Sequence, residues 1–281
     1  MIKIKVPATT ANLGPGYDCS GMALNLYNIF TFKKGKSNVN ENNLIYRSFK
    51  YFYDYYKIKV PEIEINVDSE IPSARGLGSS ATCIVAGIMA ANILSGKNIE
   101  KNKILKLATE IEGHPDNVAP AIFGGIVTSI VEDEVFYSRE EVDDNLNYLL
   151  LIPDFELSTE EARKVVPKEI TLNDAVSNIG RAVLVTKAIT IGNFNLLKGS
   201  ALDKLHEPYR KKLIEDFDIF EKIAQKDNGV IFISEAGPTI LIIAEKENKK
   251  IIENIENQKE SKNTWILKNL KADNNGAVVL D

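Results

Sequence analysis

The sequence predicts a two-domain protein of the α+β or α/β class. Segments in which apolar and polar residues alternate, as in strands with one solvated face, interleave with segments of helical periodicity in both halves of the chain. The 281 residues are enough for about two domains at roughly 150 residues each. The acidic stretch 139–145 is the best boundary, so we expect an N-terminal domain over 1–146 and a C-terminal domain over 147–281.

The N-terminal half opens on a strand, because Ile2, Ile4 and Val6 alternate with lysines. A long apolar helix is expected from Ser79 to Leu94, followed by Gly96 as its C-cap. The same periodicities predict the remaining elements of this half: strands over 22–32, 62–67 and 126–131, helices over 42–57 and 99–112, and a polar, glycine-containing loop over 7–17.

The C-terminal half begins with an apolar run typical of a buried strand, residues 148–153. Residues 230–244 indicate two strands joined by a tight turn through Ser234–Pro238. Helical periodicity predicts three helices between these strands, over 159–165, 171–192 and 207–227, and a Lys/Glu/Asn-rich helix and two weak strands complete the chain.

Composition excludes several classes of protein. Apolar residues make up 44% of the chain and charged residues 26%, which is ordinary for a folded soluble protein. No apolar run approaches the roughly 18 residues that span a bilayer, and the start lacks a signal-peptide pattern, so we expect no membrane partner. Two cysteines and two histidines exclude a zinc-finger framework and favour a reducing cytoplasm. A net charge of -5 argues against nucleic acid as a partner.

The strongest local signal is a glycine loop that leads into the long apolar helix. Gly76 and Gly78 permit backbone geometries closed to other residues, and Ser79 and Ser80 follow where the helix begins. A helix start offers unpaired N–H groups and partial positive charge, which suits a phosphate. An ordinary glycine loop with Ser79 as cap is the alternative. A dinucleotide fingerprint is disfavoured because residues 68–75 separate the first glycine from its strand.

A second cluster of polar residues lies at the end of the helix predicted over 99–112. Two acids, a histidine, an aspartate and an asparagine occur in Glu110-Ile111-Glu112-Gly113-His114-Pro115-Asp116-Asn117. Carboxylates can hold Mg²⁺ while phosphates and water complete its octahedron. An aspartate or histidine could take a proton, and an asparagine could orient a hydroxyl. A capped turn explains the same residues without chemistry. Zinc is excluded because one histidine and no cysteine lie nearby.

Two further segments indicate only a loop and a hairpin when each is taken alone. They are Pro7–Asp18 and Ser234–Thr239. Taken in chain order with the glycine loop, however, the glycine-containing segments resemble the motifs of the GHMP small-molecule kinases. Within that superfamily, the sequence of residues 113–125 resembles that of the homoserine kinases, as do the segments Ser158–Arg163 and Glu207–Arg210. The resemblance extends from Val6 to Thr239.

The resemblance implies a two-domain α+β fold, with an N-terminal ATP-binding domain like ribosomal protein S5 and a ferredoxin-like C-terminal domain. It implies ATP and Mg²⁺ as cofactors. Ser80 and Glu110 are the implied Mg²⁺ ligands, and Glu112 is close enough in sequence to compete. The implied ATP-binding loop consists of Pro72, Ser73, Ala74, Arg75, Gly76, Leu77, Gly78, Ser79, Ser80 and Ala81.

The resemblance also implies two overlapping sets of residues at the acceptor. Asn12, Asp18, His114, Asn117, Thr159, Arg163 and Arg210 match substrate-binding positions, and Asn117, Asp116, His114 and Arg210 match catalytic ones. A carboxylate at Asp18 suits the ammonium of homoserine, and Arg163 and Arg210 can grip its carboxylate. We expect Asn117 to face the hydroxyl with no protein base; Asp116 as base is the alternative.

The implied reaction is ATP-dependent phosphorylation of the L-homoserine hydroxyl to O-phospho-L-homoserine, a step of threonine biosynthesis, in a cytoplasmic homodimer. A GHMP kinase for another small alcohol, such as a mevalonate-type substrate, and a non-catalytic binding protein of the same fold are the alternatives. One position departs from the family: the third motif carries Glu235 where glycine is usual. A carboxylate there adds negative charge near the nucleotide unless it points to solvent.

Overall fold

Two antiparallel sheets organise the chain in the computed structural model, which describes residues 1–280. In chain order the strands are β1 (Ile2–Ala11), β2 (Ser20–Lys34), β3 (Ile63–Ser69), β4 (Ile126–Val131), β5 (Val135–Glu140), β6 (Leu146–Pro153), β7 (Val230–Ile233), β8 (Ile240–Glu245), β9 (Trp265–Leu270) and β10 (Val278–Leu280). The first sheet has the order β10–β1–β2–β4–β5, with β3 also paired to β2, and the second has the order β7–β8–β6–β9. Because every recorded pairing is antiparallel, the α+β class is confirmed over α/β.

Helices connect and cover these sheets. They are α1 (Leu44–Tyr55), α2 (Ser79–Ser95), α3 (Lys101–Glu112), α4 (Pro115–Phe123), α5 (Thr159–Lys164), α6 (Leu172–Thr190), α7 (Phe194–Ser200), α8 (Glu207–Arg210), α9 (Phe217–Lys226) and α10 (Lys249–Asn257), with a 3₁₀ turn at Lys211–Leu213. Within residues 1–280, no helix has both the length and the apolar character needed to cross a membrane.

Helix α2 lies at the centre of the N-terminal core. It is apolar on all sides, as a helix buried on all sides must be. It packs against β1, α1, α3 and α4. Gly87 lets the backbone of α1 approach, since a Cβ there would lie 2.5 Å from the carbonyl oxygen of Ile45. Gly78 and Gly96 stand at the two ends of the helix, where the sequence predicts that it begins and ends. Its N-terminus is therefore held in a fixed position beside β1.

Strand β1 is longer than the sequence predicts. The predicted polar loop over 7–17 begins as strand, because β1 continues through Pro7 to Ala11. Proline lacks a donor for the ladder, and the register with β2 shifts between Pro7 and Ala8, as at a β-bulge. The extension has a consequence for the site. It places Thr9 against α4 and Thr10 against the β7–β8 hairpin, where the two hydroxyls make hydrogen bonds.

The structure differs from the predicted elements at several places after residue 131. The helix expected over 207–227 is interrupted near Asp216, which has a φ of +66°. Its carboxylate accepts the N–H groups of Lys262 and Asn263 and the indole N–H of Trp265. Helix α7 and strand β5 were not predicted. The last strand, β10, pairs with β1 in the first sheet, and the division into domains at 146/147 stays a prediction.

Candidate active site

The glycine loop makes two close contacts that only glycine permits. Gly76 and Gly78 have φ angles of +71° and +64°. A Cβ at Gly78 would overlap with the hydroxyl oxygen of Thr9 and lie 3.1 Å from Oδ1 of Asn117. A Cβ at Gly76 would overlap with the carbonyl oxygen of Ser234. The loop is therefore pressed against β1 and α4 on one side and the β7–β8 hairpin on the other.

A cavity of about 150 Å³ lies beside this loop. Residues 74–80 line it, together with Leu157, Thr159, Glu235 and Gly237. Because α2 begins at Ser79, its first N–H groups have no intrahelical acceptor and can bind an anion. Most of the predicted ATP loop thus surrounds one anion-binding cavity.

Three members of the predicted ATP loop lie outside this lining. Pro72 and Ser73 precede it, and the side chain of Ala81 is fully buried in the N-terminal core because the first turn of α2 packs inward. Thr159 lines this cavity as well, although the resemblance placed it at the amino-acid substrate.

The structure separates the two candidate metal carboxylates. The Ser80 hydroxyl donates to Oε1 of Glu112 at 2.6 Å. The Tyr51 hydroxyl donates to Oε2 of Glu110 at 2.6 Å, at an exposed position. Residues two apart on a helix lie about 200° apart around its axis, so the two glutamates take opposite sides of α3. Glu112 is therefore the carboxylate that contacts the glycine loop, and the choice between Glu110 and Glu112 as a metal ligand stays a prediction. Burial raises the pKa of Glu112.

His114, Asp116 and Asn117 divide into two separate hydrogen-bonded units. His114 Nδ1 donates to Oδ1 of Asp116 at 2.6 Å, and Asp116 is only 2% exposed. The hydrogen bond to the Asp116 carboxylate raises the pKa of His114 to about 9, against the opposing effect of burial. The Thr9 hydroxyl donates to Oδ1 of Asn117 at 2.6 Å. The Nδ2 group of Asn117 is buried without a hydrogen-bond partner, so a donor at the site awaits an acceptor.

Arg210 is buried, with 1% exposure, and each of its nitrogens has a contact. Nε donates to the carbonyl of Ala162, Nη1 to the carbonyl of Glu235, and Nη2 lies 3.5 Å from the Tyr17 hydroxyl. Nη1 also lies 3.3 Å from Nδ1 of His206. Burial and the nearby guanidinium lower the pKa of His206, so its neutral ring accepts from Arg210 and donates from Nε2 to the carbonyl of Gly14.

Asp18 and Arg163 pair with each other. The two guanidinium nitrogens of Arg163 donate to the two carboxylate oxygens of Asp18, both at 3.0 Å. More than a third of each side chain is exposed. Asn12 supports this end of the site, because its Oδ1 accepts the N–H of Asp18 and its Nδ2 donates to the carbonyl of Glu235. The structure thus pairs Asp18 with Arg163. The sequence predicts that Asp18 binds the ammonium group of homoserine and that Arg163 binds its carboxylate.

The third motif packs directly on the phosphate loop. The Ser234 hydroxyl lies 2.5 Å from the carbonyl oxygen of Gly76, and the N–H of Thr239 donates to the carbonyl of Arg75. Glu235 is among the residues that line the cavity, and it is half-buried.

Sequence reasoning missed Thr9, Tyr17 and His206 as members of the site. The position of His206 four residues before Arg210, on the same helical face, was the available signal.

The two histidines of the chain are expected to titrate on opposite sides of neutrality. His114 should stay protonated until the pH approaches 9, and His206 should stay neutral well below pH 6.5. The stabilisation from the His114–Asp116 pair is complete below pH 6.5 and is lost as the pH rises through about 9. Imidazole NMR titration checks this, with His114→Asn assigning the signals. In Asp116→Asn the pKa of His114 should fall; a His114 that titrates near 6.5 in the unmodified protein would contradict the pairing.

Comparisons with known proteins agree with this geometry. Residues 43–125 match the family described as GHMP kinases N terminal domain. A homoserine kinase of Clostridium botulinum is 44% identical over 99% of this chain and 98% of that protein. A homoserine kinase of Clostridium beijerinckii is 40% identical over 100% of this chain and 99% of that protein.

Solved structures show the same fold. A crystal structure of homoserine kinase from Cytophaga hutchinsonii covers 99% of this chain and 97% of its own, with a TM-score of 0.84 and 28% identity. The Methanococcus jannaschii mevalonate kinase, at 18% identity and a TM-score of 0.70 over 96% of this chain and 98% of its own, shares the fold alone. The expected GHMP kinase fold is confirmed, and the chain belongs to the homoserine kinase family of GHMP kinases.

Proposed function

We propose that this chain transfers the γ-phosphoryl group of ATP to the side-chain hydroxyl of L-homoserine, giving O-phospho-L-homoserine and ADP. Full-length relatives named homoserine kinase, 40–44% identical, support this reaction. The observation that carries it is the unpartnered, buried Nδ2 of Asn117 beside Gly78 of the phosphate loop. A donor in that position suits an acceptor oxygen next to a phosphate.

The nucleotide is proposed to place its phosphates in the cavity at the start of α2. Phosphoryl transfer depends on positioning and on neutralising charge more than on covalent help. The N–H groups of Ser79 and Ser80 and the partial positive charge of the helix start supply part of that neutralisation. GHMP kinase membership supports ATP as the nucleotide.

Mg²⁺ fits the donor set at the same position. The Ser80 hydroxyl and the Glu112 carboxylate are in contact, and hydroxyl and carboxylate oxygens are ligands that Mg²⁺ takes beside phosphates and water. Within residues 1–280 no cluster of three or more His, Cys, Asp or Glu could hold a metal, so phosphate oxygens must complete the shell. When bound, the ion would neutralise charge on the phosphates.

The acceptor is proposed to bind as a zwitterion at the Asp18–Arg163 pair. An ammonium group next to Asp18 and a carboxylate next to Arg163 and Arg210 would extend the existing ion pair without leaving either charge uncompensated. A neutral sugar offers no such match. Arg210 is buried over the ring of Tyr17, which keeps its remaining donor capacity in a fixed direction.

Proton removal is proposed to need no carboxylate from α4. Asp116 is committed to His114, whereas Asn117 presents a free donor. The Nδ2 group would donate to the homoserine hydroxyl oxygen and orient its proton towards the γ-phosphate. Asn117 cannot itself accept the proton, because an amide nitrogen has no basic lone pair. The transferring phosphate then takes the proton late in a loose transition state.

The alternatives have less support. A mevalonate-type acceptor carries no ammonium group for Asp18. A non-catalytic binding protein would not need Ser80, Glu112 and the free donor of Asn117 together in one site. Homodimer formation and a cytoplasmic location stay predictions.

The reaction can be tested by ADP release across a panel of acceptors. With saturating Mg-ATP, L-homoserine should support turnover, and mevalonate and galactose should not. L-homoserine methyl ester should show a strongly raised KM, because losing a hydrogen-bonded charge pair costs roughly 2–5 kcal/mol. Phosphate on the homoserine hydroxyl oxygen is confirmed by NMR. Equal turnover with mevalonate, or no ADP release from protein that binds ATP, would contradict the proposal.

The metal assignment predicts different effects for two neighbouring glutamates. Glu112→Gln should lower kcat by roughly 100-fold, because removing an electrostatic contact in the transition state has that effect, and should raise the Mg²⁺ concentration needed for half-maximal rate. Glu110→Gln is the matched control, since that side chain contacts Tyr51, and should retain normal Mg²⁺ dependence. The opposite pattern would return the metal site to Glu110.

A further inference from the structure

Glu235 occupies a backbone conformation that side chains rarely adopt. Its φ is +58°, in the left-handed region that favours glycine. Three hydrogen bonds fix its backbone there. Its N–H donates to the carbonyl of Ala11, and its own carbonyl accepts Nδ2 of Asn12 at 2.6 Å and Nη1 of Arg210 at 3.0 Å. These contacts hold the backbone of Glu235 beside the glycine loop.

Glu235 lines the 150 Å³ space together with Gly76, Gly78, Ser79 and Ser80. The backbone N–H of Gly78 faces its carboxylate and favours the charged form. This N–H is one of those that the loop offers at the start of α2. An acidic residue therefore lies at the cavity that we propose for the phosphates.

The surroundings of Glu235 disfavour the charged form of its carboxyl group. Burial has the largest effect, and the acids Asp116 and Glu112 add to it; together they raise the pKa of Glu235 to about 7. The Gly78 N–H and the His114 imidazolium oppose this rise. Nearby Arg210 is a further cation. The carboxylate thus depends for compensation on the same loop donor that a nucleotide needs.

We propose that Glu235, which lines the phosphate cavity, opposes nucleotide binding through its negative charge and thereby sets the affinity for ATP. The proposal rests on the reaction proposed above, since it takes this cavity as the phosphate site. A triphosphate bound in this cavity would lie close to the Glu235 side chain. Repulsion between like charges in a partly desolvated site is enough for an effect of about 10- to 100-fold on affinity.

Two substitutions separate the charge of Glu235 from its volume. Glu235→Gln keeps the shape and a carbonyl acceptor but removes the charge, and Glu235→Gly also empties the space and suits the positive φ. ATP affinity is measured by calorimetry, and KM and kcat by ADP release with homoserine. We expect ATP affinity to be highest in Glu235→Gly, intermediate in Glu235→Gln and lowest in the unmodified protein. The gain in Glu235→Gly should be about 10- to 100-fold. Homoserine KM should change little.

The matched control is Glu245→Gln, which removes one negative charge at the exposed far end of β8 and should leave ATP affinity unchanged. ATP binding that is equal or weaker in both Glu235 variants overturns the proposal. So does a loss of kcat of about 100-fold in Glu235→Gln with unchanged ATP affinity, because it would identify Glu235 as a proton acceptor. If the unmodified protein binds ATP but does not phosphorylate homoserine, the proposed reaction fails while the affinity order still decides the role of Glu235.

Discussion

The contact of Gly78 with Thr9 and Asn117 is the constraint on which the rest of the site depends. It requires a residue without a Cβ at the start of α2, and it fixes the phosphate-binding loop against the end of β1 and the start of α4. Thr9 reaches this position because β1 continues past its bulge to Ala11. The Thr9 hydroxyl then holds one side of the Asn117 amide and leaves the other side free. The proposed nucleotide site and the proposed acceptor site therefore share this contact.

Charge pairing prepares the acceptor side in the same manner. Asp116 is buried, and its partnership with His114 keeps an imidazolium in place at neutral pH. Asp18 and Arg163 form a bidentate pair near the surface, and Arg210 is held beneath by carbonyl groups and His206. These groups are positioned before any ligand binds, so a zwitterion meets fixed partners, and this preorganisation is what phosphoryl transfer most requires.

Local signals in the sequence predicted the parts of this structure that local physics decides. Gly78 and Gly96, which both adopt a positive φ, stand at the two ends of α2, and its apolar sequence indicated that this helix is buried. The choice between Glu110 and Glu112 was beyond the sequence, because it depends on which side of α3 meets α2. The partners of Arg210 come from distant segments, and β10 returns to the first sheet across the length of the chain. Such contacts are set by tertiary packing and carry no local pattern.

The central claim is that Gly78 is required for its close approach and not only for its backbone angle. Gly96, at the other end of α2, also has a positive φ, +71°, but a Cβ at this position would have no atom within 4 Å. Gly96→Ala therefore introduces the backbone strain of a positive φ without a steric overlap. Turnover and ATP binding should therefore be compared in Gly78→Ala and Gly96→Ala. Gly96→Ala should lose about 1–2 kcal/mol of stability, and Gly78→Ala should lose more because of the added overlap. Only Gly78→Ala should lose about 100-fold or more in turnover, as small displacements in an active site do. A folded Gly78→Ala that matches Gly96→Ala in rate would contradict the account.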